Sequence, residues 1–149
     1  MIGTIIVIAL VVIAALVVLA IVLRILHRRP HALRQDHFQK RWKELQKMLA
    51  DKASWSAAVL DADTLLDEAL KKKHIPGTSM GERLVKAQRD LSDNDGVWYG
   101  HKLRSKIESE KDFKLKEADV KQALLGIRQA LKDLGALPSG KQSQEDKSA

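Results

Sequence analysis

The first pattern along the chain is an uninterrupted apolar segment. Ile2 to Leu23 form a run of 22 residues in which only Gly3 and Thr4 are not strongly apolar, and as a helix this run is about 33 Å long. A buried core helix of this length would need a polar stripe, and the segment from Ile5 to Leu23 has none. A signal peptide has a basic residue before an apolar run of about 7 to 15 residues. The run in this chain is longer, and no Lys or Arg precedes it. The run therefore predicts an uncleaved transmembrane anchor.

After residue 36 the apolar positions recur at intervals of three and four residues, which is the repeat of an amphipathic helix. The first such helix carries a narrow apolar stripe and the second a broad one. Ser54 is the expected N-cap of the second helix, Lys71 to Lys73 and His74 suit its C-terminus, and Ile75-Pro76-Gly77 then breaks the chain. The expected buried positions are Phe38, Trp42, Leu45 and Leu49 in the first helix, and Trp55, Ala58, Val59, Ala62, Leu65, Leu66, Ala69 and Leu70 in the second.

Three further helices are expected downstream. Ser79 and Glu82 have the spacing of a capping box, which opens the third helix. Asp93-Asn94-Asp95-Gly96 predicts a turn, after which a fourth helix runs from Val97 to about Ser109. A fifth helix spans Glu117 to Leu134, with Gly135 as its C-cap. The inward positions are expected to be Leu84, Ala87 or Gln88, and Leu91 in the third helix, and Val120, Leu124, Ile127, Leu131 and Leu134 in the fifth.

The composition agrees with an all-helical fold. Aromatic residues make up 4% of the 149 residues, and three prolines with eight glycines supply few of the turns that a sandwich or barrel of short strands needs. We predict an all-α protein with four parts: a transmembrane anchor over 1–23, a basic juxtamembrane tether over 24–36, a helical bundle of four to five helices over 37–135, and a disordered tail over 136–149, where polar residues replace apolar ones.

Positive charge is concentrated just after the apolar run. The formal net charge is +7, and the segment from Arg24 to Leu49 carries +6 of it, whereas 50–149 carries 18 basic and 17 acidic residues. This asymmetry predicts an outward N-terminus and a cytoplasmic bundle in the plasma membrane. It also predicts contact with anionic headgroups, which explains the basicity without a nucleic acid. Pro30 is expected to end any helical continuation of the anchor. The expected membrane-surface residues are Arg24, Arg28, Arg29 and Arg34.

No residue pattern indicates a metal or a cofactor. The chain has no cysteine, which excludes disulfide scaffolds, thiol catalysis and cysteine-ligated metals. His27 and His31 have an i, i+4 spacing that could bind a metal, but Pro30 intervenes and the carboxylates lie elsewhere in the chain. Most carboxylates in the group Asp61, Asp63, Asp67 and Glu68 are expected to be solvated surface charges. We therefore expect neither a metal site nor a cofactor.

The fourth helix carries one unusual pattern. Val97, His101, Arg104 and Glu108 follow the 4-3-4 spacing of a single stripe, a position that apolar residues normally fill. One interpretation is a partly buried ion-pair ladder, in which Arg104 pairs with Glu108, and Asp63 of the second helix pairs with His101 or Arg104. The other interpretation is an interaction surface, such as a groove or a dimer seam, made by the same five residues.

At these residues the chain resembles the HEPN family, and more narrowly a group of membrane-anchored bacterial proteins with a HEPN-like domain. The resemblance covers roughly residues 42–135 and is carried by the segment Trp98 to Glu110, with Ala58 to Asp63 and Leu65 to Asp67 upstream. It implies a compact antiparallel helical bundle that is often dimeric through the motif-bearing helix.

The resemblance also bears on catalysis. In active HEPN ribonucleases a polar residue follows an arginine, and a histidine lies five to seven positions after that arginine. Arg104 fits the arginine and Ser105 the polar residue, but Ser109, Glu110 and Lys111 occupy the three possible histidine positions. Because that imidazole is expected to take part in proton transfer at the RNA 2′-hydroxyl, its absence argues against ribonuclease activity.

Together these observations lead to two functional hypotheses. The first is a membrane-anchored, noncatalytic interaction module that forms a homodimer or binds another protein. The alternative is a membrane-tethered ribonuclease that uses Arg104 and His101 in an atypical arrangement, with RNA as its substrate.

Overall fold

In the computed structural model, which describes residues 1–27 and 33–140, the chain forms six α-helices and no strand within those ranges. They are α1 (Ile2–His27), α2 (Gln35–Met48), α3 (Trp55–Lys72), α4 (Met80–Ala87), α5 (Asn94–Ser109) and α6 (Glu117–Asp133), with a short 3₁₀ helix at Lys52–Ser54. The chain divides into two units, residues 1–30 and 31–149. The all-α prediction, with one apolar helix followed by a bundle, is confirmed.

The first unit contains α1. Its segment Ile2–Arg24 is the one described helix that is long and apolar enough to cross a membrane. Its side chains through Arg24 are exposed rather than packed into a core. The helix therefore presents an apolar surface on all sides, with no polar stripe. The helix continues to His27. The prediction that Pro30 ends it lies outside the described residues.

In the second unit α3 is central, because it packs against α2, α4, α5 and α6. Its broad apolar face requires neighbours on several sides, and the predicted core positions of this helix are buried except for Trp55, which is partly buried. The buried side chains form one cluster that draws on all five helices. The largest fully buried apolar ones are Phe38, Leu66, Leu70, Leu84, Ile127 and Leu131.

Helices α5 and α6 run antiparallel. Along α5 and α6, Tyr99 bonds to Asp119, whereas the earlier residue Gly96 lies against the later residue Gly126. The earlier residue on α5 thus contacts the later residue on α6, so the two helices run in opposite directions.

Helices α5 and α6 approach each other closely because glycines line their contact. A Cβ added to Gly100 would lie 3.0 Å from Ile127 Cδ1, and one added to Gly126 would overlap the backbone of Gly96. The absence of side chains here lets the backbones meet, and any added atom would force the helices apart.

One predicted cap and one predicted helix start are wrong. Helix α3 does begin directly after Ser54, but the Ser54 side chain makes no capping hydrogen bond; Asp51 instead accepts from Ala53 N at 3.1 Å and caps the 3₁₀ helix that precedes α3. Residues 94–96 are not a separate turn but the first turn of α5, since Asp93 Oδ1 accepts from Gly96 N at 2.9 Å. Each aspartate thus satisfies a free N–H group at the start of a helix.

The other predicted helix ends are confirmed. Ser79 Oγ accepts from Glu82 N at 3.2 Å, although the Glu82 carboxylate bonds to Thr78 rather than back to Ser79. Leu134 is the C-cap of α6, and Gly135 follows it with a φ of +77°, the left-handed conformation in which a glycine ends a helix. Ala87 rather than Gln88 is the buried residue of α4. Of the disordered tail predicted over 136–149, Ala136 and Leu137 are instead buried in the core cluster, and residues 141–149 lie outside the described residues.

Candidate functional site

The candidate site is built around Asp63, a fully buried aspartate on the face of α3 that meets α5. Arg104 Nη1 donates to Asp63 Oδ2 at 2.8 Å, and His101 Nδ1 lies 3.2 Å from both carboxylate oxygens. A buried carboxylate without partners would be costly, so these contacts explain how Asp63 is tolerated in the core. His101 and Arg104 both reach it because residues three positions apart on a helix lie on the same face.

Arg104 links this buried charge to the surface. Its Nε and Nη2 atoms donate to Glu108 Oε1 at 3.4 and 3.3 Å, one helical turn away. The hydrogen bond to Asp63, with the nearby charges of Asp63 and Glu108, raises the pKa of the Arg104 guanidinium despite partial burial. Exposure of the side chain grows outward, from 1% for Asp63 to 29% for Arg104 and 52% for Glu108. We call Asp63, His101, Arg104 and Glu108 the Asp63 cluster.

The imidazole of His101 is held on two sides. Trp98 packs edge-on against it, with ring centroids 5.9 Å apart, and Gly81 at the start of α4 is close enough that an added Cβ would lie 3.9 Å from His101 Nε2. If the Asp63 carboxylate is ionised, Nδ1 must carry the proton that it donates, and the neutral ring then presents Nε2 as an acceptor. The His101 side chain is 20% exposed.

The structure brings together four of the five stripe residues and separates the fifth. Val97 is buried in the core at 1% exposure, because its position on α5 is covered by the bundle. It therefore supports the helix from inside and does not belong to the exposed part of the stripe. The sequence predicts that Asp63 pairs with either His101 or Arg104, and in the structure both residues contact it.

A second internal ion pair, which no sequence pattern indicates, joins α4 to α3. Arg83 of α4 is buried, and its Nε and Nη2 donate to Asp67 of α3 at 2.7 and 3.1 Å, while Nη1 donates to Gly77 O at 2.7 Å. Burial acts to raise the pKa of Asp67, but the hydrogen bonds from Arg83 and Lys71 outweigh it and the pKa is lowered. Asp63, Asp67 and Glu68 are all paired, so the expectation that most of these carboxylates are solvated is wrong.

The expected membrane-surface residues are only partly described. Arg24 is exposed near the end of α1, and Arg34 is exposed and pairs with Asp36 at 3.2 Å. Arg28 and Arg29 lie outside the described residues, as does His31. Within residues 1–27 and 33–140, no group of three or more histidine or acidic side chains is placed to hold a metal ion.

Comparison with known proteins adds no assignment: no family model, curated protein or solved structure matches this chain. The Asp63 cluster must therefore be judged by its own chemistry. It offers a fixed cation and a fixed anion side by side at a surface, with an imidazole behind them.

Proposed function

We propose that this protein is a single-span membrane protein whose cytoplasmic bundle is a noncatalytic interaction module that self-associates through the exposed part of the Asp63 cluster. The observation that carries the proposal is that Arg104 and Glu108 are adjacent, fixed and partly exposed on α5. Asp63 anchors Arg104 from below, so the charged surface is already ordered before any partner binds, which lowers the entropic cost of association.

The arrangement is self-complementary. When two copies of α5 pack antiparallel about a two-fold axis, Arg104 of each copy faces Glu108 of the other. Three of the five N–H donors of Arg104 are used in the contacts above, which leaves two for a second carboxylate. Ser105 and Ser109 lie on the exposed side of the same helix and are small enough to permit close approach.

A concentration dependence tests this proposal. Because association stabilises the folded state by mass action, raising the protein-to-detergent ratio tenfold is expected to raise the melting temperature of the bundle by a few degrees. Tryptophan fluorescence is the appropriate signal, since Trp42, Trp55 and Trp98 all lie outside α1. A melting temperature that does not change over this range would contradict self-association.

The proposed orientation makes a separate prediction. Basic residues are concentrated from Arg24 onward, directly after the apolar run, so the bundle is expected on the cytoplasmic side. Because the chain has no cysteine, a single Lys86→Cys or Ile2→Cys substitution gives a unique label site. In intact cells a membrane-impermeant maleimide should label the variant at position 2 and reach position 86 only after permeabilisation. Labelling of position 86 in intact cells would refute the orientation.

One observation favours a second candidate, a membrane-tethered ribonuclease. The contact between Asp63 and His101 Nδ1 orients the ring as a carboxylate orients a catalytic histidine, and leaves Nε2 for proton transfer. Incubation of the full chain with single-stranded RNA separates the candidates. Cleavage that is lost in His101→Ala but retained in Glu108→Ala would support the enzyme and contradict a noncatalytic module.

A further inference from the structure

A groove between α2 and α6 has a surface unlike the rest of the bundle. Trp42 and Leu124 contribute to its floor, and its rim includes Leu125, Lys121 and Arg128, with Lys132 at its far end. Leu125 is 65% exposed, one of only two large apolar side chains in the described part of the bundle that are so exposed. The indole Nε1 of Trp42 is buried with no acceptor among the described residues.

The charge of this rim has one sign. On α6, Lys121, Leu125, Arg128 and Lys132 follow a 4-3-4 spacing and share one face. Lys121 pairs with Glu117 at 2.7 Å, whereas no ion pair engages Arg128 or Lys132 among the described residues. A projecting apolar side chain among basic residues is the pattern of a surface that rests on an anionic bilayer.

The length of the chain between the two units supplies the second argument. Residues 28–34 join α1 to α2 and span at most about 25 Å when fully extended. A bundle tethered in this way by a membrane-spanning α1 meets the bilayer surface at a high effective concentration, so that even weak contacts suffice for docking.

We propose that the face formed by Leu125, Arg128 and Lys132 of α6, with the groove beside it, docks the bundle onto anionic lipid headgroups. The two cations bind phosphates, and Leu125 enters the boundary between headgroups and acyl chains. This goes beyond the interaction module proposed above and assigns α5 and α6 to different tasks: α5 faces a second copy, and α6 faces the membrane. The proposal rests on the membrane anchor, and co-isolation of the chain with pure phosphatidylcholine nanodiscs, which offer no anionic lipid to the α6 face, tests that anchor by itself.

The experiment uses the full chain in nanodiscs with one copy per disc. A fluorophore on Gln46→Cys, an exposed residue on the α2 side of the groove, reports access of an aqueous quencher. In discs that contain phosphatidylglycerol the probe should be shielded, and in pure phosphatidylcholine discs it should be open. The variant Leu125→Gln/Arg128→Gln/Lys132→Gln should lower the ratio of docked to free bundle by at least about tenfold, because each cation near an anionic surface contributes roughly a fivefold factor.

The matched control is Val85→Gln/Lys86→Gln/Arg89→Gln, which makes the same chemical changes at exposed positions on and after α4 and should leave the shielding unchanged. Three results would overturn the proposal. They are equal quenching in both kinds of disc, shielding that survives the triple substitution on α6, and shielding that appears only when a disc holds two copies, which would make this face a protein interface.

Discussion

Replacing Gly126 with alanine is expected to destabilise the bundle by about 3 kcal/mol or more. The added Cβ would overlap the backbone of Gly96, and neither backbone can yield without moving a whole helix. Alanine gains roughly 1 kcal/mol over glycine from helix propensity, but this gain is smaller than the cost of separating α5 from α6. Denaturation followed by tryptophan fluorescence measures the difference.

Gly81→Ala is the matched control for this substitution. Gly81 also lies in a helix, but an added Cβ would be 3.8 Å or more from its neighbours, which is ordinary contact. This variant should be as stable as the parent or up to about 1 kcal/mol more stable. If the two variants were equally stable, the close approach of α5 and α6 would be contradicted.

Asp63→Ala is expected to cost about 2 to 3 kcal/mol of unfolding free energy. The substitution leaves His101 without its acceptor and Arg104 with only the exposed Glu108, at positions partly screened from water. The cost is below that of a fully buried pair because both side chains reach solvent. Asp63→Asn, which keeps the shape and one acceptor oxygen, should lose about half as much.

Asp61→Ala provides the control for Asp63, since Asp61 lies two residues away on α3 and is exposed. Its unfolding free energy should stay within about 0.5 kcal/mol of the parent. If Asp63→Ala also stayed within about 0.5 kcal/mol of the parent, the buried carboxylate would contribute no net stability, which would contradict its role in holding His101 and Arg104.

The sequence predicted the helices well because their apolar repeats are regular. The stripe at Phe38, Trp42 and Leu45 and the inward positions of α6 follow directly from a period of 3.6 residues, and burial confirms them. Helix starts were harder to predict. Asp51 caps a 3₁₀ helix directly before α3, and Asp93 caps α5, which begins at Asn94 rather than Val97; local propensity does not rank such alternatives.

The candidate site was predictable only where residues on one helix carried the pattern. The spacing of His101, Arg104 and Glu108 marks a polar stripe, and Asp63 is the acid that breaks the apolar face of α3. Arg83 and Asp67 give no such signal, because a surface arginine and a buried one look alike until the packing of α4 on α3 is known. The close contact of α5 with α6 depends likewise on which glycines face each other across the two helices.

Self-association through α5 can be tested by sedimentation of the full chain in micelles with the charge of Glu108 reversed. In an antiparallel pair of α5 helices, Glu108→Arg places an arginine opposite Arg104 twice, once for each copy, so dimerisation should weaken by at least about tenfold. Glu110→Arg makes the same change of charge at an exposed position just beyond α5 and should dimerise like the parent. If Glu108→Arg dimerises as strongly as Glu110→Arg and the parent, the exposed part of the Asp63 cluster is not the surface through which this protein self-associates.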